Sequence, residues 1–302
     1  MESFLRGLKG RVVVESPPGL WREAKAVCSF IEERGLECVR SAMPSFGACL
    51  VFQDLGDAIV HLGHYPYPWW KPSKKTLFLP CPWKGEVRLH KIKSELEGKR
   101  TLVGTTAQHL ESVKKVIDEM KAEGVNVELS FSTPRGLVLG CDYTGLRRGY
   151  DEYLIIAGGK FHSLGASLYL KRDVIAFDPY SERWERVNPY PILKRRLWKV
   201  SEAMEGREVA IIDGIEGQSR ENLVKALFLE ASRGGFKARL FKAPILTKEF
   251  VANVLEEVDF AVITSCPRLP LDDYGDLEKP VLAPGEARAV FRRNLELYSF
   301  PF

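Results

Sequence analysis

Three thiols in this chain stand where a thiolate can do chemistry. Cys49 ends the run FGAC, Cys141 lies in LGCD and Cys266 in SCPR, each a turn-like context beside an apolar run. A turn at a strand end can aim a side chain into a cleft, and in open parallel sheets ligands gather at the carboxyl ends of strands. The three are too distant along the chain for a local metal finger. Brought to one point they suit zinc or a 4Fe-4S cluster, and a cluster with three protein ligands keeps one iron open to substrate. Cys28, Cys38 and Cys81 fall on a helix face, in a strand and in the Pro-rich LPCPW, and read as small buried hydrophobes. No cysteine pair has CxxC spacing and the start has no apolar export segment, so reduced thiols are expected rather than a disulfide framework.

The elements that must position these thiols are announced by an internal repeat. RVVVESPPGLWREAKAVCSFIEERG then LECV, RTLVGTTAQHLESVKKVIDEMKAEG then VNVEL, and REVAIIDGIEGQSRENLVKALFLEASRGG then FKARLF each read strand, turn, helix, glycine, strand. Ala24, Val27, Cys28 and Ile31 recur at helical spacing in the first. Leu110, Val113, Val116, Ile117 and Met120 do so in the second, and Leu223, Leu227 and Ala231 in the third. Gly35, Gly124 and Gly235 stand where a left-handed helix cap is wanted. A further strand candidate follows each unit, at 58–61, 153–157 and 260–264. The fold expected is α/β, with three small parallel sheets in domains spanning residues 1–97, 98–200 and 201–302, each carrying one of the three thiols.

Composition narrows the function. Lys and Arg number 44 against 40 Asp and Glu, and the basic residues are dispersed, so a nucleic-acid footprint is not expected. No run approaches the roughly 18 apolar residues of a membrane span, and a cytoplasmic protein is expected.

Several further residues have chemistry to offer. LIIAGGKFHSLGASL runs from a strand through Gly158 and Gly159 into a helix near His162, a geometry that suits an anion and equally an ordinary tight turn. Arg268, two positions after Cys266, can pair a carboxylate or make a structural ion pair with Asp272 or Asp273. Those two aspartates can order the Cys266 loop or form an Asx turn before Gly275. His61 and His64 are three apart without a third local ligand, so lining or structure is favoured over zinc. Residues 65–70, Tyr-Pro-Tyr-Pro-Trp-Trp, cannot form a regular helix and suit a dimer interface, a cover over the cleft or a loop anchored on its own core.

Along nearly its whole length the sequence resembles the archaeal diphthamide-synthesis enzymes, the 2-(3-amino-3-carboxypropyl)histidine synthase family. The resemblance is carried by VVVESPPGLWREA, FGACLVFQD, IVHLGH, GTTAQH, VLGCD, GGKFHSLGASLYLKRDVIAFDPYS, the GQSR turn and SCPRLPLDDYG. It implies three Rossmann-like domains in pseudo-three-fold arrangement, with Cys49, Cys141 and Cys266 ligating one 4Fe-4S cluster. It also implies cleavage of S-adenosylmethionine to a 3-amino-3-carboxypropyl radical, transferred to C2 of one histidine of translation elongation factor 2. By the same resemblance Gly158, Gly159 and His162 serve the cofactor, and Gln218 and Arg268 contact its amino-acid end. An electron donor and a homodimer are implied as partners. Two departures stand out: LVFQD follows Cys49 where a more acidic loop is expected, and Tyr65 follows GH in place of a small serine. The alternatives are a quinolinate synthase-like iron-sulfur enzyme, a non-catalytic partner subunit of diphthamide synthesis, and a three-domain protein binding a small anion.

Overall fold

A computed structural model describes residues 1–301 and contains three small β-sheets flanked by helices. By their internal contacts the residues form two compact units. One is Met1–Trp83 with Ile215–Gln218, and the other comprises, among the described residues, 84–214 and 219–301.

In the first unit, α1 (Glu2–Leu5) precedes β1 (Arg11–Glu15), α2 (Trp21–Glu32), β2 (Glu37–Arg40), β3 (Ala58–Leu62) and β4 (Lys75–Leu79). The strands lie in the order β2-β1-β3-β4 and every pairing is parallel. Alternation along β1 explains its two faces. Val12 and Val14 pack with Ala58 and Val60 onto Ala24, Cys28 and Ile31 of α2, while Val13 and Ile59 face the other way onto Val51 and Trp70.

The second unit holds two sheets. Following α3 (Lys93–Leu96), the strands β5 (Thr101–Thr105), β6 (Val127–Leu129), β7 (Glu152–Ile156), β8 (Val174–Asp178) and β9 (Arg183–Val187) lie in the order β6-β5-β7-β8-β9. They enclose α4 (Leu110–Ala122) and α5 (Phe161–Leu170) in sequence and lead into α6 (Tyr190–Ala203). The last sheet comprises β10 (Glu208–Asp213), β11 (Lys237–Lys242), β12 (Phe260–Ile263) and β13 (Val281–Leu282) in the order β11-β10-β12-β13, all parallel. Its helices are α7 (Glu221–Arg233), α8 (Lys248–Glu256), α9 (Leu269–Asp272) and α10 (Pro284–Phe291).

The repeat is thus realised as three equivalent strand–helix–strand–strand arrangements, and Gly35, Gly124 and Gly235 all have the left-handed φ expected of them, near 74°, 83° and 80°. Two expectations need correction. The buried face of α7 is Val224, Leu227 and Ala231, so Leu227 and Ala231 stand as expected while Val224 takes the first buried position and Leu223 is only partly buried. β9 is antiparallel to β8, a hairpin partner at the edge of an otherwise parallel sheet.

The cysteines supply a third correction. Cys28 on α2 and Cys38 on β2 are joined in a disulfide rather than buried as separate thiols. The helix–glycine–strand connection of the first repeat is short enough that the two side chains meet across it. Cys81, which has a left-handed φ of 51°, lies outside any disulfide.

Candidate functional site

In each sheet the strand order reverses between the first and third strands of the repeat, β1/β3, β5/β7 and β10/β12. The loops leaving the carboxyl ends of such a pair diverge and open a crevice, the usual ligand position in open α/β sheets. Residues able to do chemistry sit in loops at these sheets. Gly158 and Gly159 follow β7, and His109 follows β5; Gln218 follows β10, and Cys266 and Arg268 follow β12. Cys49 and Cys141 are equivalent to one another, each lying between the second and third strands of its repeat, whereas Cys266 follows the third strand.

In the second unit Cys141 stands at the tip of a tight reversal, because the backbones of Leu139 and Asp142 hydrogen-bond to each other across Gly140 and Cys141. Asp142 stiffens the exit by accepting from Thr144 N and Oγ1 at 2.9 and 2.6 Å. Tyr143 is buried and donates from its hydroxyl to Gly140 O at 3.1 Å, and burial pushes its phenol pKa upward.

Cys266 opens the turn into α9, with its carbonyl accepting from Leu269 N. Arg268, only 2% exposed, bridges these two thiol-bearing loops. It donates from Nε and Nη2 to both oxygens of Asp272, at 2.7 and 2.9 Å, and from Nη1 to the Tyr143 hydroxyl at 3.4 Å. Its guanidinium carbon lies 4.0 Å from the centre of the Phe161 ring, at the start of α5. The helix accepts this approach because residue 165 is glycine, where a Cβ would overlap the Tyr143 hydroxyl and Arg268 Nη1.

The same region holds three rings. His162, in the first turn of α5, has its pKa lowered to about 4 by burial, then by the charge of Arg268 and by His109. It does not cap the helix. His109 is buried, which lowers its pKa, and its ring meets Tyr180 edge-on at 5.2 Å. Tyr180 in turn lies over Gly158, where a Cβ would stand 2.8 Å from Tyr180 Cε2. Gly159 has a φ of 67°, so both glycines of the pair are required by the backbone path or by the close ring. Both histidines are neutral at neutral pH and can donate or accept without bringing charge.

Asp213 ties the two strand ends of the last sheet. Fully buried, it accepts from Thr264 Oγ1 at 2.6 Å, Ser219 Oγ at 2.9 Å and Arg220 N at 3.1 Å, which fixes the end of the GQSR turn against the strand that leads to Cys266.

The first unit organises Cys49 in another way. Leu50 and Val51 are buried, Phe52 N donates to Glu15 Oε1 at 2.7 Å, and the amide of Gln53 is gripped on both sides. Its oxygen accepts from Ser73 Oγ and Lys74 N, and its nitrogen donates to Glu216 Oε2 at 2.8 Å. Gln53 therefore has a structural purpose in the LVFQD segment. Gln218, from the same short stretch as Glu216, places Nε2 3.6 Å from Cys49 Sγ. Between them Gly217 packs so closely that a Cβ would be 2.7 Å from the Cys49 carbonyl. Trp70 packs beside Gly217 and on Val13, Val51 and Ile59, and Tyr67 is buried, which anchors the aromatic stretch on its own core while Trp69 stays exposed.

Cys49, Cys141 and Cys266 are all partly buried and outside any disulfide. Among the described residues no three His, Cys, Asp or Glu side chains are grouped so as to hold one metal ion. A four-iron cluster makes a different demand, since each thiolate takes its own iron, and three turn-borne thiols are the donor chemistry it needs. Among the described residues no helix is long and apolar enough to cross a membrane. His109, Tyr143, Gly165, Tyr180 and Asp213 were not singled out from the sequence. Of these His109 and Tyr180 lay within the recognisable runs GTTAQH and DPYS, whereas Tyr143, Gly165 and Asp213 matter only through contacts distant in sequence.

The fold and these residues define a three-sheet α/β protein with a thiol in a turn at each sheet and a buried cation behind two of them. Residues 16–299 match the family described as "Putative diphthamide synthesis protein", and the chain belongs to that family. It is 32% identical over 296 residues to 2-(3-amino-3-carboxypropyl)histidine synthase of Pyrococcus horikoshii, covering 93% of this chain and 85% of that one. To the synthase of the same name from Methanocaldococcus jannaschii it is 25% identical over 320 residues, covering 96% and 86%. The crystal structure of Dph2 from Pyrococcus horikoshii with a 4Fe-4S cluster superposes with a TM-score of 0.87 at 30% identity, covering 99% of this chain and 92% of that one.

Proposed function

We propose that this chain is a 2-(3-amino-3-carboxypropyl)histidine synthase that performs the first step of diphthamide formation on elongation factor 2. Cys49, Cys141 and Cys266 each supply one thiolate to a 4Fe-4S cluster. When bound, that cluster supplies the electron that opens the bond from sulfur to the γ-carbon of S-adenosylmethionine. The observation that carries the reading is Arg268, a buried cation held in one orientation by Asp272, Tyr143 and Phe161 behind the Cys141 and Cys266 turns.

A guanidinium so fixed suits the carboxylate of the cofactor's amino-acid end, and holding that end decides which carbon–sulfur bond is presented. Gly158 and Gly159 open the helix start for close backbone approach, and neutral His162 and His109 offer hydrogen bonds there without adding charge. Gln218 directs its amide at the Cys49 sulfur, favouring the thiolate. The chain works in the cytoplasm as a homodimer with an external electron donor.

The test is anaerobic incubation of the full chain, reconstituted with iron and sulfide, with dithionite, S-adenosylmethionine and an archaeal elongation factor 2. Methylthioadenosine and a mass gain of one aminocarboxypropyl group on the factor are expected. Alanine at Cys49, Cys141 or Cys266 abolishes both, and undiminished turnover in any of the three variants refutes the reading.

A further inference from the structure

At the crevice of the first sheet lies a chain of titratable groups that the function above does not use. Glu15 and His61 are register partners at the carboxyl ends of β1 and β3. Glu15 Oε2 is 3.0 Å from His61 Nδ1, and His61 Nε2 is 2.9 Å from His64 Nδ1. Glu15 is 2% exposed and His61 not at all, while His64 is partly exposed, so the chain leads from a buried carboxylate outward to a ring. The second oxygen of Glu15 holds Phe52 N, three residues from Cys49.

Direction follows from the chemistry of the groups. A carboxylate only accepts, so His61 carries its proton on Nδ1 and offers a lone pair at Nε2. His64 must then donate from Nδ1, which makes its own Nε2 an acceptor. Carboxylate, imidazole and acceptor nitrogen in this order are the elements of a general base. We propose that Glu15, His61 and His64 form a proton relay, and that His64 Nε2 receives the proton lost when the target imidazole exchanges its C2–H bond for a C2–carbon bond.

The proposal rests on the transfer reaction above, whose balance requires such an acceptor. The sulfur–γ-carbon bond breaks, the γ-carbon–C2 bond forms and the C2–H bond breaks. Methylthioadenosine leaves neutral, so the positive charge of the sulfonium departs as one proton. The electron that opens the sulfonium is returned when the ring regains aromaticity, and none is consumed. As the proton reaches His64 Nε2, the Nδ1 proton of His64 passes to His61 Nε2 and that of His61 to Glu15, leaving a neutral carboxyl group. Burial, and then the neighbouring His61 ring, lower the His64 pKa to about 4, which keeps the acceptor vacant at neutral pH. A carbon acid whose ionisation restores an aromatic ring needs no stronger base.

The equivalent strand-end pairs show what a purely structural tie looks like. In the last sheet Asp213 and Thr264 are joined by one 2.6 Å hydrogen bond, and in the middle sheet Thr105 Oγ1 donates to Ile156 O at 2.7 Å. Neither tie is a carboxylate–imidazole pair continued by a second imidazole, as the one in the first sheet is.

Two measurements decide the matter. Nitrogen-15 NMR of the histidine rings in the full-length protein at pH 7 is expected to show His61 and His64 protonated on Nδ1 alone. A proton on His64 Nε2 overturns the relay whatever the enzyme does. In anaerobic turnover, elongation factor 2 deuterated at C2 of its target histidine is expected to react without a primary isotope effect in the wild type. With His64→Gln, which keeps a side-chain N–H for His61, an effect of threefold or more is expected, with at least tenfold less modified factor per methylthioadenosine. Equal isotope effects and equal ratios in the two proteins overturn the relay. A wild type that makes no methylthioadenosine refutes the transfer reading instead, and the ring protonation then decides the relay by itself.

Discussion

Gln218 Nε2 stands 3.6 Å from the sulfur of Cys49, a residue 169 positions earlier in the chain. A donor aimed at sulfur stabilises thiolate over thiol, and one such bond is worth about 1 kcal/mol, or roughly fivefold in thiolate population. Gln218→Leu keeps the volume and removes the donor. In cluster-free protein at pH 7, alkylation of Cys49 by iodoacetamide is expected to slow about fivefold, with Cys141 and Cys266 unchanged, as followed by peptide mass spectrometry. Slowing of all three alike would instead mean a general loosening of the fold.

Arg268 is spent on one edge in holding Asp272, with side chains 3% and 28% exposed. Asp272→Asn leaves the buried guanidinium without its countercharge. The expected cost is about 2 kcal/mol, less than for a fully buried pair because Asp272 reaches water, and it is read as a lower urea midpoint. Arg268→Lys keeps the charge but loses the planar fork and the stacking on Phe161. Binding of S-adenosylmethionine to the reconstituted protein, measured by calorimetry, is expected to weaken about tenfold or more. Unchanged affinity would remove Arg268 from the cofactor's carboxylate.

The repeat was legible because strand and helix periods, glycine caps and alternating valines are local signals. β1, β5 and β10 and their helices α2, α4 and α7 begin and end close to where those signals place them. Arg268, its ion-pair partner Asp272 and Gln218 could be named from their motifs, but the contacts of Arg268 with Tyr143 and Phe161 and of Gln218 with Cys49 could not. Tyr143 is 125 positions from Arg268, and nothing local to Gly165 says that a phenol and a guanidinium press against it. The Glu15–His61–His64 chain was hidden for a related reason. His61 and His64 were visible as a pair, whereas Glu15 ends a strand 46 positions earlier and joins them only through sheet register. The Cys28–Cys38 link was misread because a helical cysteine and a strand cysteine separated by a glycine turn look like two packing residues until the turn is closed.

That link closes a loop across a sequence separation of 10. In the chain-entropy account such a cross-link is worth about 2 to 3 kcal/mol. Labelling denatured, unreduced protein with iodoacetamide is expected to modify Cys49, Cys81, Cys141 and Cys266 and to spare Cys28 and Cys38. Cys28→Ser with Cys38→Ser is expected to lower stability by about that 2 to 3 kcal/mol, while reducing agent no longer affects the variant. Full labelling of all six cysteines would show that the bond does not form.

Acid is expected to weaken the fold well before the carboxylates titrate. His64 and His162 are both lowered from 6.5 to about 4, by burial first and then by His61 in one case and Arg268 in the other. Between those two values the unfolded chain binds protons that the folded chain refuses. Stability is therefore complete above about pH 6.5 and declines as the pH falls toward 4, by about 2 kcal/mol per ring at pH 5. Asp259, held below the usual carboxylate range by the backbone N–H groups of Glu208 and Arg207, adds its loss only at lower pH. Urea midpoints at pH 7.5 and pH 5 separate the two contributions. The wild type is expected to lose more between these conditions than His64→Gln, which has one fewer ring to charge. Identical losses in the two proteins would mean that His64 carries its proton as readily in the folded state as in the unfolded one.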